Sequence, residues 1–147
     1  MEPTAHDSSR MANPPCGAVT GASRAGLLGH EAAIIWLTGL SGAGKTTLAT
    51  ALEAELLRAR VLSAVLDGDL IRTGLSRDLG FSSADRRENM RRTGEAAALI
   101  AAAGAVAIVA LISPFREERR QVAERARAGG IRFAEVYVNA AFAECER

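Results

Sequence analysis

The sequence predicts an α/β domain: a parallel β-sheet with helices on its flanks. Three observations carry this. Short runs rich in Val, Ile and Leu recur along the chain, with helix-forming stretches between them. These runs do not alternate apolar with polar residues, so they read as strands covered on both faces. Strands separated by helices join in parallel through right-handed crossovers.

The elements follow in order. Residues 1–30 are rich in Gly, Ala, Ser and Pro without a sustained period, which predicts a flexible or loosely docked N-terminal segment ahead of a domain over 31–147. Ala33–Thr38 (AIIWLT) is the first strand, followed by a glycine-rich turn and a helix over Lys45–Ala59. Val61–Leu66 is the second strand, and Gly68–Ser83 is mostly loop or short helix. Ser82 caps the next helix with Asp85 as its capping-box partner, and that helix runs to Ala103. Ala105–Ile112 is the third strand, stopped by Pro114. Glu117–Ala128 is a helix ended by Gly129-Gly130, and Phe133–Val138 is the fourth strand. In such a sheet, ligands bind beyond the carboxyl ends of the strands.

Composition narrows the function classes. The chain has 147 residues, the size of one domain. Its 18 basic and 17 acidic residues leave a net charge of +1, without the clustered positive excess of a nucleic-acid binder. Aromatics are only 4%, too few for a base-stacking platform. Cys16 and Cys145 form no metal-ligand pattern, and free thiols in a reducing cytoplasm are the simpler reading. No apolar h-region precedes residue 20, and Met11 is an alternative start. Ala96–Ile112 is uncharged, but it is alanine-rich and divided by Gly104 into helix-like and strand-like halves, which argues against a membrane span. Every basic residue but Lys45 is arginine.

The lone lysine lies in Gly39-Leu40-Ser41-Gly42-Ala43-Gly44-Lys45-Thr46, which fits GxxxxGK[ST] between a strand and a helix. Backbone N–H groups of such a loop wrap phosphate, and the helix dipole adds to them. Lys45 reaches the β- and γ-phosphates, and Thr46, followed by Thr47, offers its hydroxyl to Mg²⁺. ATP or GTP binding follows. Asp67 and Asp69 end the second strand, where one can orient Mg²⁺ or accept a hydroxyl proton; a plain turn is the alternative. Asp69 is the better placed for substrate. Arg72, Arg77, Arg86, Arg87, Arg91 and Arg92 crowd one segment, with Arg86, Asn89 and Thr93 on one helix face. They suit a polyanionic acceptor, against the alternative of a solvated face paired with Asp85 and Glu88. Ser113 follows the third strand, where it can bond a phosphate, receive a phosphoryl group or cap the next helix with Pro114 at its first position. Phe81 and Phe115 can clamp a flat base.

These segments resemble the adenylyl-sulfate kinase (APS kinase) family. The likeness lies in IIWLTGLSGAGKTTLA, LDGDLIRTGLSRDLGFSSADRRENMRRTGEAAALIAAAG, VAIVALISPFREERR and FAEVYVNAAFAECER, with SRAGLLGH as lead-in. The resemblance implies a P-loop NTPase, nucleotide-kinase-like fold and transfer of the γ-phosphoryl of MgATP to the 3′-hydroxyl of adenosine 5′-phosphosulfate. It implies ATP on Gly39–Thr46 and Thr47, with catalysis by Lys45, Asp69 and Ser113. The acceptor would lie on Asp67, Asp69, Arg72, Arg86, Asn89, Ile112 and Ser113, with its adenine between Phe81 and Phe115. The family's serine at the position of Ser113 is described as a phosphoserine intermediate, but a kinase holding both substrates needs no covalent carrier. A homodimer and association with ATP sulfurylase are implied by the resemblance alone. The family continues into a DPKGLY-type segment, a lid and a last strand, which this sequence, ending at Arg147, is expected to lack. Asn139 stands where the family more often has an acidic residue. The alternatives are a nucleotide-binding but inactive fragment and another small P-loop kinase.

Overall fold

A computed structural model describes residues 19–140. The first strand, β1 (Ala33–Thr38), forms the middle of the domain. Its side chains alternate between two apolar layers, as the pleat of a strand requires. Ile34 and Trp36 face one way and Leu37 the other, all essentially inaccessible to solvent. The other elements, in chain order, are α1 (Gly21–Leu28), α2 (Lys45–Arg58), β2 (Ser63–Asp67), α3 (Gly68–Thr73), α4 (Ser83–Ala102), β3 (Val106–Ala110), α5 (Arg116–Ala128) and β4 (Arg132–Tyr137).

The strands form one parallel sheet in the order β2-β3-β1-β4. Leu37 and Asp67 both pair with Ala110, so β1, β2 and β3 end at one level. On one face α2 covers Leu37, Ile108 and Ala110 through Ala49 and Leu52. On the other, α4 and α5 cover Ile34, Trp36 and Val109 through Met90, Ala97, Val122 and Ala126. Gly94 lets α4 and α5 approach closely: a Cβ there would lie 2.7 Å from Val122 Cγ2. Acidic residues open α5 (Glu117, Glu118) and basic ones close it (Arg125, Arg127), complementing its dipole.

Three local outcomes bear on the sequence expectation. The segment expected to be flexible or loosely docked contains α1, capped by Thr20, whose hydroxyl accepts the Ser23 N–H at 3.1 Å, and ended by Gly29 at φ 75°. No residue of α1 is buried, so no apolar period marked it. Leu28 and Arg24 nonetheless pack on Gly104, and His30 Nε2 accepts the Leu62 N–H at 3.0 Å. Second, the stretch expected to be mostly loop or short helix does open with a short helix, α3, which Asp67 caps. Third, α5 starts at Arg116 with Phe115 as its cap residue, so Ser113 does not cap it and Pro114 is not its first residue. Ser82 does cap α4: its hydroxyl accepts the Asp85 N–H at 3.1 Å and donates to Asp85 Oδ2 at 2.7 Å. Among the described residues no helix is long and apolar enough to cross a membrane. Cys16, Cys145 and Met11 lie outside the described residues.

Candidate active site

At the carboxyl end of β1 the chain turns through three glycines with positive φ, Gly39 (151°), Gly42 (77°) and Gly44 (89°). Such backbone suits glycine, which has no Cβ to clash. A Cβ on Gly39 would lie 2.6 Å from the Val138 carbonyl oxygen, so the back of the loop rests on the chain just past β4. Gly44 caps α2 without a side-chain hydrogen bond, which leaves first-turn N–H groups for an anion. Lys45 is buried and folds along the loop, donating from Nζ to the carbonyls of Gly39 (2.9 Å) and Leu40 (2.6 Å).

The end of β2 meets this loop. The Thr46 hydroxyl donates to Asp67 Oδ2 at 2.6 Å, while Asp67 Oδ1 accepts the Asp69 N–H at 2.9 Å. Asp67 thus ties the phosphate loop to the first turn of α3. The Asp69 carboxylate is exposed in the first turn of α3 and takes no hydrogen bond from the described residues. A divalent cation needs a cage of oxygens, and no group of three or more His, Cys, Asp or Glu side chains among the described residues provides one. Thr46 backed by Asp67 fits the alternative, a Mg²⁺ ligated chiefly by phosphates and water.

A cleft of about 440 Å³ opens above the strand ends. Ser41, Gly42, Gly44, Lys45, Thr46 and Thr47 form one wall. Arg72, Phe81, Arg86 and Asn89 line another side, and Asp67, Asp69, Ile112 and Ser113 line it as well. Gly39, Leu40 and Ala43 do not line it; they shape the loop from behind. Phe81 is 70% exposed, with the Arg72 guanidinium 4.4 Å and that of Arg86 5.9 Å from its ring centre. Arg72 Nη1 donates to the Gly80 carbonyl (2.8 Å) and Arg86 Nε to that of Phe81 (2.9 Å), so both arginines brace the segment carrying the ring. Asn89 is buried on α4, and its Oδ1 has no hydrogen-bond partner. A buried acceptor without a donor is costly, by about 1–3 kcal/mol, and a ligand donor in the cleft would relieve it.

Ser113 lies on the same wall in an unusual conformation, at φ 44° and almost fully buried. Left-handed backbone on a non-glycine residue costs about 1–3 kcal/mol and persists only where its surroundings hold it. Here Trp36 Nε1 donates to Ser113 Oγ (2.9 Å), and Ser113 Oγ donates to the Leu111 carbonyl (3.1 Å). Thr38 Oγ1 donates to the Ile112 carbonyl (2.8 Å), and Arg119 Nη1 to that of Ser113 (2.7 Å).

Two expectations need correction. Phe115 does not line the cleft: its ring packs on the apolar layer beneath α4 and α5, and Arg87 sits 4.1 Å from its centre while pairing with Glu118. A clamp of Phe81 and Phe115 is therefore not formed. The arginine segment also divides. Arg72 and Arg86 face the cleft, whereas Arg91 and Arg92 pair with Glu88, and Arg92 also with Asp78. Arg91 and then Arg92 hold the Glu88 carboxyl down at about 2. Thr93 is buried and bonds the Asn89 carbonyl. Sequence reasoning missed Met90, which lines the cleft, and Arg119, whose partners Ser113 and Glu135 lie at no regular helical spacing and leave no local signal.

The sequence pattern of the family described as adenylylsulphate kinase matches residues 31–147. The chain is similar to the Mycobacterium tuberculosis APS kinase solved with AMPPNP and APS, at 43% identity and a TM-score of 0.76, over 80% of this chain and 68% of that one. It is similar to the hexameric APS kinase of Thiobacillus denitrificans at 42% identity and a TM-score of 0.67, over 73% of this chain and 22% of that one. A gluconokinase from Sinorhizobium meliloti, at 20% identity and a TM-score of 0.53 over 75% of this chain and 58% of that one, shares the fold alone. With a P-loop kinase fold, a phosphate loop facing an arginine-braced cleft, and these matches, the chain belongs to the adenylylsulphate kinase family.

Proposed function

We propose that the protein transfers the γ-phosphoryl group of MgATP to the 3′-hydroxyl of adenosine 5′-phosphosulfate, yielding 3′-phosphoadenosine 5′-phosphosulfate and ADP. The observation that carries this reading is the shared cleft, lined by the phosphate loop, by Arg72, Phe81, Arg86 and Asn89, and by Asp69. The Mycobacterium tuberculosis relative, solved with AMPPNP and APS, supports the pair of substrates.

The triphosphate lies on the N–H groups of the loop and the α2 terminus. Lys45 exchanges its contacts to Gly39 and Leu40 for the β- and γ-phosphates, where it offsets charge developing in transfer. Thr46 would hold Mg²⁺, which would neutralise charge on the phosphate oxygens, and Asp67 fixes the Thr46 hydroxyl. Arg72 and Arg86 hold the acceptor's phosphosulfate, Phe81 stacks on its adenine, and the orphan Oδ1 of Asn89 takes a donor from it. Asp69 accepts the 3′-hydroxyl proton as the bond from O3′ to the γ-phosphorus forms and the bond to the bridging oxygen of ADP breaks. Ser113 lines the acceptor pocket with its hydroxyl engaged both as donor and as acceptor, which favours direct in-line transfer over a phosphoserine. By the family likeness the reaction serves sulfate assimilation in the cytoplasm. A homodimer and an ATP sulfurylase partner rest on that likeness alone.

The test is ADP release from MgATP by the 147-residue chain with and without adenosine 5′-phosphosulfate, with AMP as control acceptor. Release that depends on the phosphosulfate supports the proposal. Turnover with AMP instead would refute the acceptor, and ATP binding without turnover would leave a nucleotide-binding chain that is not an active kinase.

A further inference from the structure

We propose that Arg119 and Glu135 are positioning residues that hold the Ile112–Ser113 wall of the cleft in place, so that the edge strand β4 supports the acceptor pocket. This rests on the acceptor reading above for its kinetic consequence, though not for the structural one. Ser113 is one of two non-glycine residues with positive φ among the described residues, and it directly precedes Pro114, which pushes the residue before it toward extended backbone. Its conformation must therefore be imposed from outside.

Two side chains on one rung of the sheet impose it. Trp36 and Glu135 are paired in register across β1 and β4, so their side chains leave the same face. Trp36 holds the Ser113 side chain directly, through Nε1 to Oγ at 2.9 Å. Glu135 holds the Ser113 backbone through Arg119, whose Nε donates to Glu135 Oε1 (2.8 Å) and whose Nη1 donates to the Ser113 carbonyl (2.7 Å). Thr38 Oγ1 reaches that carbonyl only at 3.5 Å and makes its short bond to Ile112 instead, so Arg119 is the main donor to it. The Arg119 side chain is 18% exposed, which limits competition from water. A guanidinium fits the role because it spans two acceptors with fixed geometry, and a lysine ammonium would not reproduce that fork.

The test uses Arg119→Ala, Arg119→Lys and Glu135→Gln in the full chain, with two readouts. In kinetics, Arg119→Ala is expected to raise KM for adenosine 5′-phosphosulfate about tenfold, the loss of one charge-assisted bond, with KM for ATP changed by less than about twofold. Glu135→Gln should move the same constant in the same direction by less, and Arg119→Lys should recover part of it. The second readout needs no substrate. Trp36 is the only tryptophan, and its indole N–H bonds Ser113, so its emission reports the turn. Arg119→Ala should shift that emission toward the spectrum of Ser113→Ala. Equal changes in both KM values with a lowered Tm would show a merely structural pair and overturn the proposal, as would unchanged emission in Arg119→Ala and Glu135→Gln. Should the wild type lack phosphosulfate-dependent turnover, the acceptor reading fails, and emission alone decides whether Arg119 holds the turn.

Discussion

Replacing Gly39 by alanine tests how far the phosphate loop depends on a strand distant in sequence. The new Cβ would lie 2.6 Å from the Val138 carbonyl oxygen, a contact close to an ångström too short, and Gly39 sits at φ 151°. The atom it meets is backbone, tied down because the Val138 N–H donates to the Thr38 carbonyl at 2.8 Å. Neither side can yield by a rotamer change. Backbone strain and overpacking together should destabilise the fold by about 2–4 kcal/mol. For a chain of this size that corresponds to a fall in Tm of about 5–15 °C. The loop that must move also carries the Lys45 contacts and the first-turn N–H groups, so ATP affinity should drop at least about tenfold. Thermal unfolding with and without MgATP, together with nucleotide titration, measures both effects. Gly26→Ala is the control, since a Cβ there meets nothing within 4 Å and helix propensity favours alanine. A Gly39→Ala protein with wild-type Tm and wild-type ATP affinity would refute the argument that this close approach shapes the loop.

Further expectations concern the chemistry, the helix contact and the charge network. Asp69→Asn should lower kcat by about 10²–10⁴-fold while KM for ATP stays nearly constant, since it removes a proton acceptor but no phosphate contact; steady-state kinetics decide it. Gly94→Ala should lower Tm because its Cβ would meet Val122 Cγ2 at 2.7 Å. Pairing it with Val122→Ala should recover about 1 kcal/mol relative to the sum of the single changes, as measured by a double-mutant cycle in urea. Glu88 is held down at about 2, first by Arg91 and then by Arg92, against an ordinary 4.5. Its folded value is depressed, so its contribution is present above about pH 4.5 and is lost as the pH falls toward 2. The Tm difference between wild type and Glu88→Gln should therefore be flat above that window and vanish at its lower end.

Much of the architecture was legible because it is written locally. The phosphate loop could be read because its glycines, lysine and threonine each answer a demand of backbone or charge at fixed spacing. Ala33–Thr38 and the third strand were legible from unbroken apolar runs, and Ser82 from its cap. What escaped depends on partners far along the chain. The helix Gly21–Leu28 buries none of its residues, so its only marks were Thr20 and Gly29. Phe81 and Phe115 look alike in sequence; the cleft takes the first because Arg72 and Arg86 brace it outward, and the second is held on the core under Arg87. Arg91 and Arg92 could be read as partners of Glu88 from helical spacing, whereas the bond from Arg87 to Glu118 crosses between helices. The strained turn at Ser113 is invisible locally, because Trp36 and Thr38 on β1 and Arg119 on α5 impose it together.

The place of β1 between β3 and β4 also sets an order in time. As the chain leaves the ribosome, Ala33–Thr38 emerges early, yet both of its sheet neighbours are made about seventy to a hundred residues later. Helix α2 can form at once, but the AIIWLT segment must wait with both edges open, a hydrophobic strand prone to pairing with other chains. The seat of Gly39 against Val138 can form only after β4 has been made. A nucleotide that needs the finished loop therefore rewards only the completed sheet. ATP should slow the unfolding of this protein while leaving its folding rate almost untouched, so the nascent chain depends on protection other than its own ligand.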